Sequence, residues 1–281
     1  SLMQIIDNIQ AMQEIGNNLS AGKKIGFVPT MGYFHQGHLS LVGKANKQCE
    51  ITVVSIFVNP SQFGPNEDFE SYPRDMQRDL ELLSKYKVDY VFSPNPEQMY
   101  PQDYRTWVEV EGLSSILCGA SRPGHFRGVA TVILKLINII KPNFMFMGEK
   151  DFQQVTVLQT MLKDLNCETQ IVPCPIIREE DGLAMSSRNI YLNPEQRKQA
   201  LCLYRAIQQA QAKYKQGLRD TNLLKKQAAD LIINSGGKID YVSFVEPKTL
   251  QEVAIADDNT RIMLAVFIGK TRLIDNAPLK V

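Results

Sequence analysis

The run Ile51-Thr-Val-Val-Ser-Ile-Phe-Val58 is apolar or β-branched at nearly every position. A strand with one wet face alternates polar and apolar residues, whereas an unbroken run has to be covered on both faces. That calls for a sheet with helices above and below it, and the chain supplies them. Short apolar stretches at 25–28, 88–92, 143–147 and 169–172 read as further strands. Helical spacing marks residues 4–19 (Ile5, Ile6, Ile9, Met12, Ile15), 74–85 (Met76, Leu80, Leu83), 126–140 and 152–165. Strands alternating with helices imply a parallel, doubly wound α/β sheet. Ligands of such sheets bind outside the carboxyl ends of the strands. The loops beginning near Pro29, Asn59 and Gly148 lie at such ends.

After Cys174-Pro175 the texture changes. Asn193-Pro-Glu starts a long helix running to about Gln216, with Asn as cap and Pro in the first turn, and a shorter helix covers 221–234. Strands at 239–245, 261–268 and 271–274 follow with no helix between them, which predicts a small α+β domain with an antiparallel sheet. The expected division is 1–177 for the larger domain and 178–281 for the smaller. A net charge of +1 gives no general attraction to nucleic acid or to a membrane surface. No apolar run reaches membrane-spanning length. The five cysteines are odd in number, scattered, and without a Cys-x-x-Cys pair, which fits a reducing cytoplasmic setting.

Function is expected in the segment Lys24-Lys-Ile-Gly-Phe-Val-Pro-Thr-Met-Gly-Tyr-Phe-His-Gln-Gly-His-Leu-Ser-Leu-Val42. Its layout is strand to Val28, a stop at Pro29, a loop containing Gly32 and Gly37, then a helix. His35 falls in the loop and His38 in the first helical turn. Helix N-terminal amides attract phosphate, and two of the chain's three histidines stand there. Gly148-Glu-Lys-Asp151 ends another buried strand, where Lys150 can neutralise phosphate charge. Ser186-Ser-Arg188 offers two hydroxyls and a guanidinium for phosphate. Gln62 and Gln154 are uncharged amides suited to hydroxyls or a carboxylate. Asp79 could hold Mg²⁺ through water, or simply be solvated. His125 either lines the cleft or finishes a turn. Met31, Met145, Met147 and Met185 fill core or pack on a base.

His35-Gln-Gly-His38 resembles the His-x-Gly-His signature of the nucleotidylyltransferase superfamily. Pro29-Thr-Met-Gly32, Asn59-Pro-Ser-Gln-Phe63, Tyr72-Pro-Arg74, Gly148-Glu-Lys-Asp-Phe-Gln-Gln154, Leu183-Ala-Met-Ser-Ser-Arg-Asn189 and Arg272-Leu-Ile-Asp-Asn276 follow in order. Together they resemble the pantoate–β-alanine ligase family over essentially the whole chain. The resemblance implies a Rossmann-like N-terminal domain, a C-terminal lid, a homodimer, and use of ATP with Mg²⁺. It implies catalytic roles for His35, His38, Lys150 and Arg188. ATP is expected on Pro29, Thr30, Met31, Gly32, Gly148, Asp151, Met185, Ser186 and Ser187 as well as on those four. Pantoate is expected on Gln62, Gln154 and Met31, and the metal near Asp79. Arg78 stands where some members carry a second acid.

The reaction so implied is ATP-dependent condensation of pantoate with β-alanine through a pantoyl adenylate. An adenylyltransferase that stops at nucleotide transfer, a fragment of a class I aminoacyl-tRNA synthetase, and a non-catalytic nucleotide sensor are the other readings.

Overall fold

The computed structural model describes residues 2–281; Ser1, included in the expected first domain, lies outside them. The chain forms two compact units. The first takes the chain up to Glu149 together with Gln154–Pro175, and the second takes Lys150–Gln153 with Ile176–Val281.

In the first unit the elements run β1 (Gln4–Ile6), α1 (Ile9–Ser20), β2 (Ile25–Thr30), α2 (Gln36–Gln48), β3 (Ile51–Ile56), α3 (Met76–Leu83), β4 (Tyr90–Phe92), α4 (Pro96–Met99), α5 (Cys118–Ser121), α6 (His125–Ile140), β5 (Phe144–Gly148), α7 (Phe152–Asp164, its first two residues in the second unit) and β6 (Gln170–Cys174). The sheet order is β1-β4-β3-β2-β5-β6, every neighbouring pair parallel. All six residues of β3 are buried, as its unbroken apolar run requires. The strand order reverses between β2 and β5, so the carboxyl ends of these two strands flank the switch point of a doubly wound sheet.

Three local expectations are corrected. Residues 4–6 are a strand beside Tyr90–Phe92, and Asn8 caps the helix that begins only at Ile9. Ile5 and Ile6 suit either period, so spacing alone does not separate the two. Secondly, β2 runs past Pro29 to Thr30. The Thr30 carbonyl accepts from Phe57 N–H on the β3 side, so the alternate residue Pro29 turns its missing donor toward β5. The ladder with β5 has already ended at Phe27, so no bond is lost. Thirdly, the long helix expected to begin at Asn193 is two helices, α8 (Pro194–Gln199) and α9 (Cys202–Lys215). At the break Leu201 N–H reaches Lys198 O, a tighter three-residue bond.

The second unit adds α10 (Thr221–Asn234) and an antiparallel sheet of β7 (Lys238–Val245), β8 (Arg261–Ile268) and β9 (Thr271–Pro278). Val242 and Phe244 of β7 alternate inward with Ile262, Leu264 and Val266 of β8. They pack on Leu203, Ile207, Leu224 and Ile232 of the two helices. The period of two in the strands meets the period of 3.6 in the helices on one apolar layer. Among the described residues no helix is long and apolar enough to cross a membrane.

Candidate active site

The turn between β2 and α2 is built by backbone conformation first. Thr30 Oγ1 donates to Ser55 O (2.7 Å) and accepts from Gly32 N–H (3.1 Å). Gly32 and Tyr33 then take positive φ of 82° and 54°. The left-handed pair points the next two N–H groups inward, and Asp79 of α3 receives both. Its Oδ2 accepts from Tyr33 N–H and its Oδ1 from Phe34 N–H, each at 2.8 Å. A Cβ on Gly32 would lie 3.0 Å from Asp79 Oδ2, so glycine serves both the φ and the space. Asp79 is 1% exposed. Burial pushes its pKa up, and the two N–H donors offset this only in part. This carboxylate therefore holds the loop in front of the histidines.

The histidines close the next turn on each other. His35 is the N-cap of α2 and His38 its third residue, and they form a reciprocal capping box. Gly37 N–H donates to His35 Nδ1 (3.0 Å) and His35 N–H donates to His38 Nδ1 (3.1 Å). A nitrogen that accepts carries no proton, so both rings are Nε2–H tautomers. The centroids stand 4.0 Å apart. A Cβ on Gly37 would lie 2.6 Å from His35 Cε1. The missing side chain of Gly37 thus makes room for the imidazole rather than for a ligand. The result is two Nε2–H groups at the positive end of a helix, a chemistry suited to phosphate oxygens.

Beside this turn, Gln62 Nε2 lies 3.5 Å from Met31 Sδ, and Gln62 Oε1 accepts from Asn59 Nδ2 (2.9 Å). Asn59, 1% exposed, also donates to Gly128 O on α6 (3.2 Å). Met31 and Gln62 are thus brought together. Gln154, half-buried in the first turn of α7, is not hydrogen-bonded to Gln62.

Glu149–Asp151 leave β5 as a turn of 3-10 helix. In the second unit, to which Lys150 belongs, the Lys150 carbonyl accepts from Asn276 Nδ2 (3.0 Å). Asn276 Oδ1 accepts from Arg261 Nε (3.0 Å), whose guanidinium lies 4.1 Å from the centre of the Phe152 ring. Ser186 caps a second 3-10 turn, Ser187–Tyr191, accepting from Arg188 N–H (3.2 Å). A tight hairpin leads into it, with Glu179 N–H to Leu183 O (2.7 Å) and Met185 N–H to Ile177 O (3.0 Å). Arg178 fixes that hairpin to β9 by a two-pronged pair with Asp275 (2.7 and 2.9 Å). Asp275 is 3% exposed. Asp275→Ala removes both prongs and leaves the Arg178 guanidinium only the Gly182 carbonyl and the Tyr204 ring; it should cost about 2–4 kcal/mol, seen as a lowered denaturant midpoint of the C-terminal unit. An unchanged midpoint would show that the pair holds nothing.

Of the residues the sequence marks, Pro29, Thr30, Met31, Gly32, His35, His38, Gln62 and Asp79 lie in the first unit, with Gly148 and Gln154. Lys150, Asp151, Met185, Ser186, Ser187 and Arg188 lie in the second. Asn59, Gly128, Asp275 and Asn276 carry the supports and were not marked as site residues. Among the described residues no three acidic, histidine or cysteine side chains group as a metal site.

The sequence profile described as pantoate-beta-alanine ligase matches residues 4–278. The chain belongs to this family. It is 52% identical to a pantothenate synthetase of Caldicellulosiruptor bescii over 276 residues, 98% of each chain. A pantothenate synthetase structure from Thermus thermophilus superposes with a TM-score of 0.94 at 40% identity, covering 99% of this chain and 100% of that one. A pantoate-beta-alanine ligase from Francisella tularensis, complexed with beta-gamma ATP and beta-alanine, matches with a TM-score of 0.83 at 38% identity over 99% and 98% of the two chains. As a pantoate–β-alanine ligase, the protein makes pantothenate from pantoate, β-alanine and ATP, and releases AMP and pyrophosphate.

Proposed function

We propose how the residues divide this reaction. Pantoate lies against Gln62, Gln154 and Met31, with its carboxylate directed at the α-phosphorus of ATP. The carboxylate displaces pyrophosphate in line and leaves pantoyl adenylate. Negative charge builds on the phosphate oxygens, and His35 and His38 meet it with Nε2–H donors at the end of α2. Lys150, beside Gly148 and Asp151, takes charge on the departing pyrophosphate, and Ser186, Ser187 and Arg188 grip the phosphates. Pro29, Thr30, Gly32 and Met185 line the nucleotide. The β-alanine amine then attacks the activated carbonyl and expels AMP. No side chain needs to act as a nucleophile; the work is positioning and charge stabilisation.

The observation that carries this reading is the histidine capping box, which fixes both imidazoles as Nε2–H donors. Mg²⁺ enters the proposal with the ATP phosphates. Asp79 is committed to two main-chain N–H groups and does not fit a protein-held ion, so no step is routed through the metal. A homodimer and a cytoplasmic setting belong to the same proposal, on the family resemblance and the scattered cysteines.

The two-step order is tested by isotope exchange. Labelled pyrophosphate is expected to enter ATP when pantoate is present and β-alanine absent. Adding β-alanine should then release AMP and pantothenate in equal amounts. Rapid overall turnover without any exchange, where pyrophosphate demonstrably binds, sinks the adenylate intermediate.

A further inference from the structure

The third histidine plays no part in the chemistry above. His125 is the first residue of α6 and is 8% exposed. Two contacts determine the state of its ring. Nδ1 lies 2.9 Å from the main-chain carbonyl oxygen of Gln62, which can only accept. Nε2 lies 3.3 Å from Arg122 Nη1, which can only donate. The ring is therefore neutral, with its proton on Nδ1 and a lone pair on Nε2. That is the opposite tautomer to His35 and His38.

Arg122 is itself held. Its Nε and Nη2 donate to Glu67 Oε2 (2.6 Å) and Oε1 (3.2 Å), and Glu67 Oε1 also accepts from Gly64 N–H (2.7 Å). Burial raises the Glu67 carboxyl, but the Arg122 hydrogen bond and the Gly64 N–H outweigh it and hold the pKa below the ordinary carboxylate value. An ionised Glu67 keeps the guanidinium in place, and the guanidinium keeps the Nε2 lone pair of His125 occupied. Arg122 meets this ring directly, and Glu67 stands behind Arg122.

A closed circuit results. It runs from Gly64 through Glu67, Arg122 and His125 back to Gln62, and it ties the 59–67 loop to the start of α6. The Gln62 main chain is held by His125, while its carboxamide is held by Asn59, itself bonded to Gly128 O on the same helix.

We propose that His125 is a positioning residue for pantoate: in its Nδ1–H form it anchors the Gln62 carbonyl and so aims the Gln62 carboxamide at the substrate. The proposal rests on the reading that Gln62 binds pantoate. His125 touches no reacting atom, and its effect passes wholly through Gln62. The ATP side of the reaction, built on residues 29–38, is left alone.

The test compares His125→Ala, His125→Asn and Gln62→Ala by steady-state kinetics, with the wild-type tautomer read by ¹⁵N NMR. His125→Ala should raise the KM for pantoate about tenfold, the scale of one lost hydrogen bond at a buried site, with the KM for ATP within about twofold. Asparagine places an N–H near the former Nδ1 position, so His125→Asn should recover most of that loss. Two histidines in the ¹⁵N spectrum should be protonated on Nε2 and one on Nδ1. Three Nε2–H rings, or a cationic His125 at neutral pH, overturn the proposal even if the alanine variant does not fold. A pantoate KM raised by Gln62→Ala but untouched by His125→Ala also overturns it. If Gln62→Ala leaves pantoate binding unchanged, the assignment of Gln62 itself fails first, and the proposal with it.

Discussion

Replacing His38 or Lys150 by alanine should slow adenylate formation by a factor on the order of a hundred or more, because each change removes a donor to charge that appears only in the transition state. The two changes should differ in their effect on the fold. His38 Nδ1 receives His35 N–H, so His38→Ala also opens half of a capping box and costs about 1 kcal/mol of stability. Glutamine at the third helical position is a normal partner in such a box, so His38→Gln should restore stability without restoring the rate. Lys150 is held by its main-chain carbonyl, which alanine retains, and Lys150→Ala should melt like the parent. Pre-steady-state pyrophosphate release and thermal scans measure both quantities. A fast His38→Gln enzyme would remove the imidazole from the mechanism.

The second large effect is expected at a residue with no side chain. Gly128 lies inside α6, where propensity alone favours alanine by about 1 kcal/mol. Here a Cβ would stand 2.3 Å from Ser61 O, 2.6 Å from Ser61 C and 2.7 Å from Gln62 N. All three are main-chain atoms, and the helix or the 60–62 turn has to shift. Overpacking of this kind costs about 1–3 kcal/mol. The shift falls on Gln62, so Gly128→Ala should both lower the melting temperature and raise the KM for pantoate tenfold or more. A stabilised variant with unchanged kinetics would show that helix and turn do not meet as closely as these distances say.

The features legible in the sequence are those with a local period or a fixed spacing. The unbroken run of β3 announced a sheet covered on both faces, and the strand–helix alternation announced its parallel order. His35-Gln-Gly-His38 and the motifs downstream carried the family. The supports were not legible, because they join residues far apart in sequence. Asp79 acts on N–H groups 45 and 46 positions earlier, and a helical aspartate has no local mark of that. Gly128 reads as a weak point in a helix until Ser61 is set against it. Asp275 and Asn276 lay in a recognised motif, but their partners Arg178 and Lys150 are 97 and 126 positions away. The helix expected from residue 4 failed for a different reason, since two adjacent isoleucines satisfy a strand equally well.

The membership of Lys150–Gln153 in the C-terminal unit has a consequence for taking the protein apart. The polypeptide passes between the units at 149/150, 153/154 and 175/176, so the second unit is not a contiguous gene segment. A fragment starting at Ile176 would lack Phe152, on which the Arg261 guanidinium rests, and the Lys150 carbonyl, which receives the Asn276 amide. Truncation at this boundary therefore removes internal parts of the very piece it is meant to isolate. By the same token, the main chain of the Gly-Glu-Lys-Asp motif is held at the Lys150 carbonyl by Asn276, a residue synthesised 126 positions later, so a nascent chain cannot make this bond until β9 has emerged.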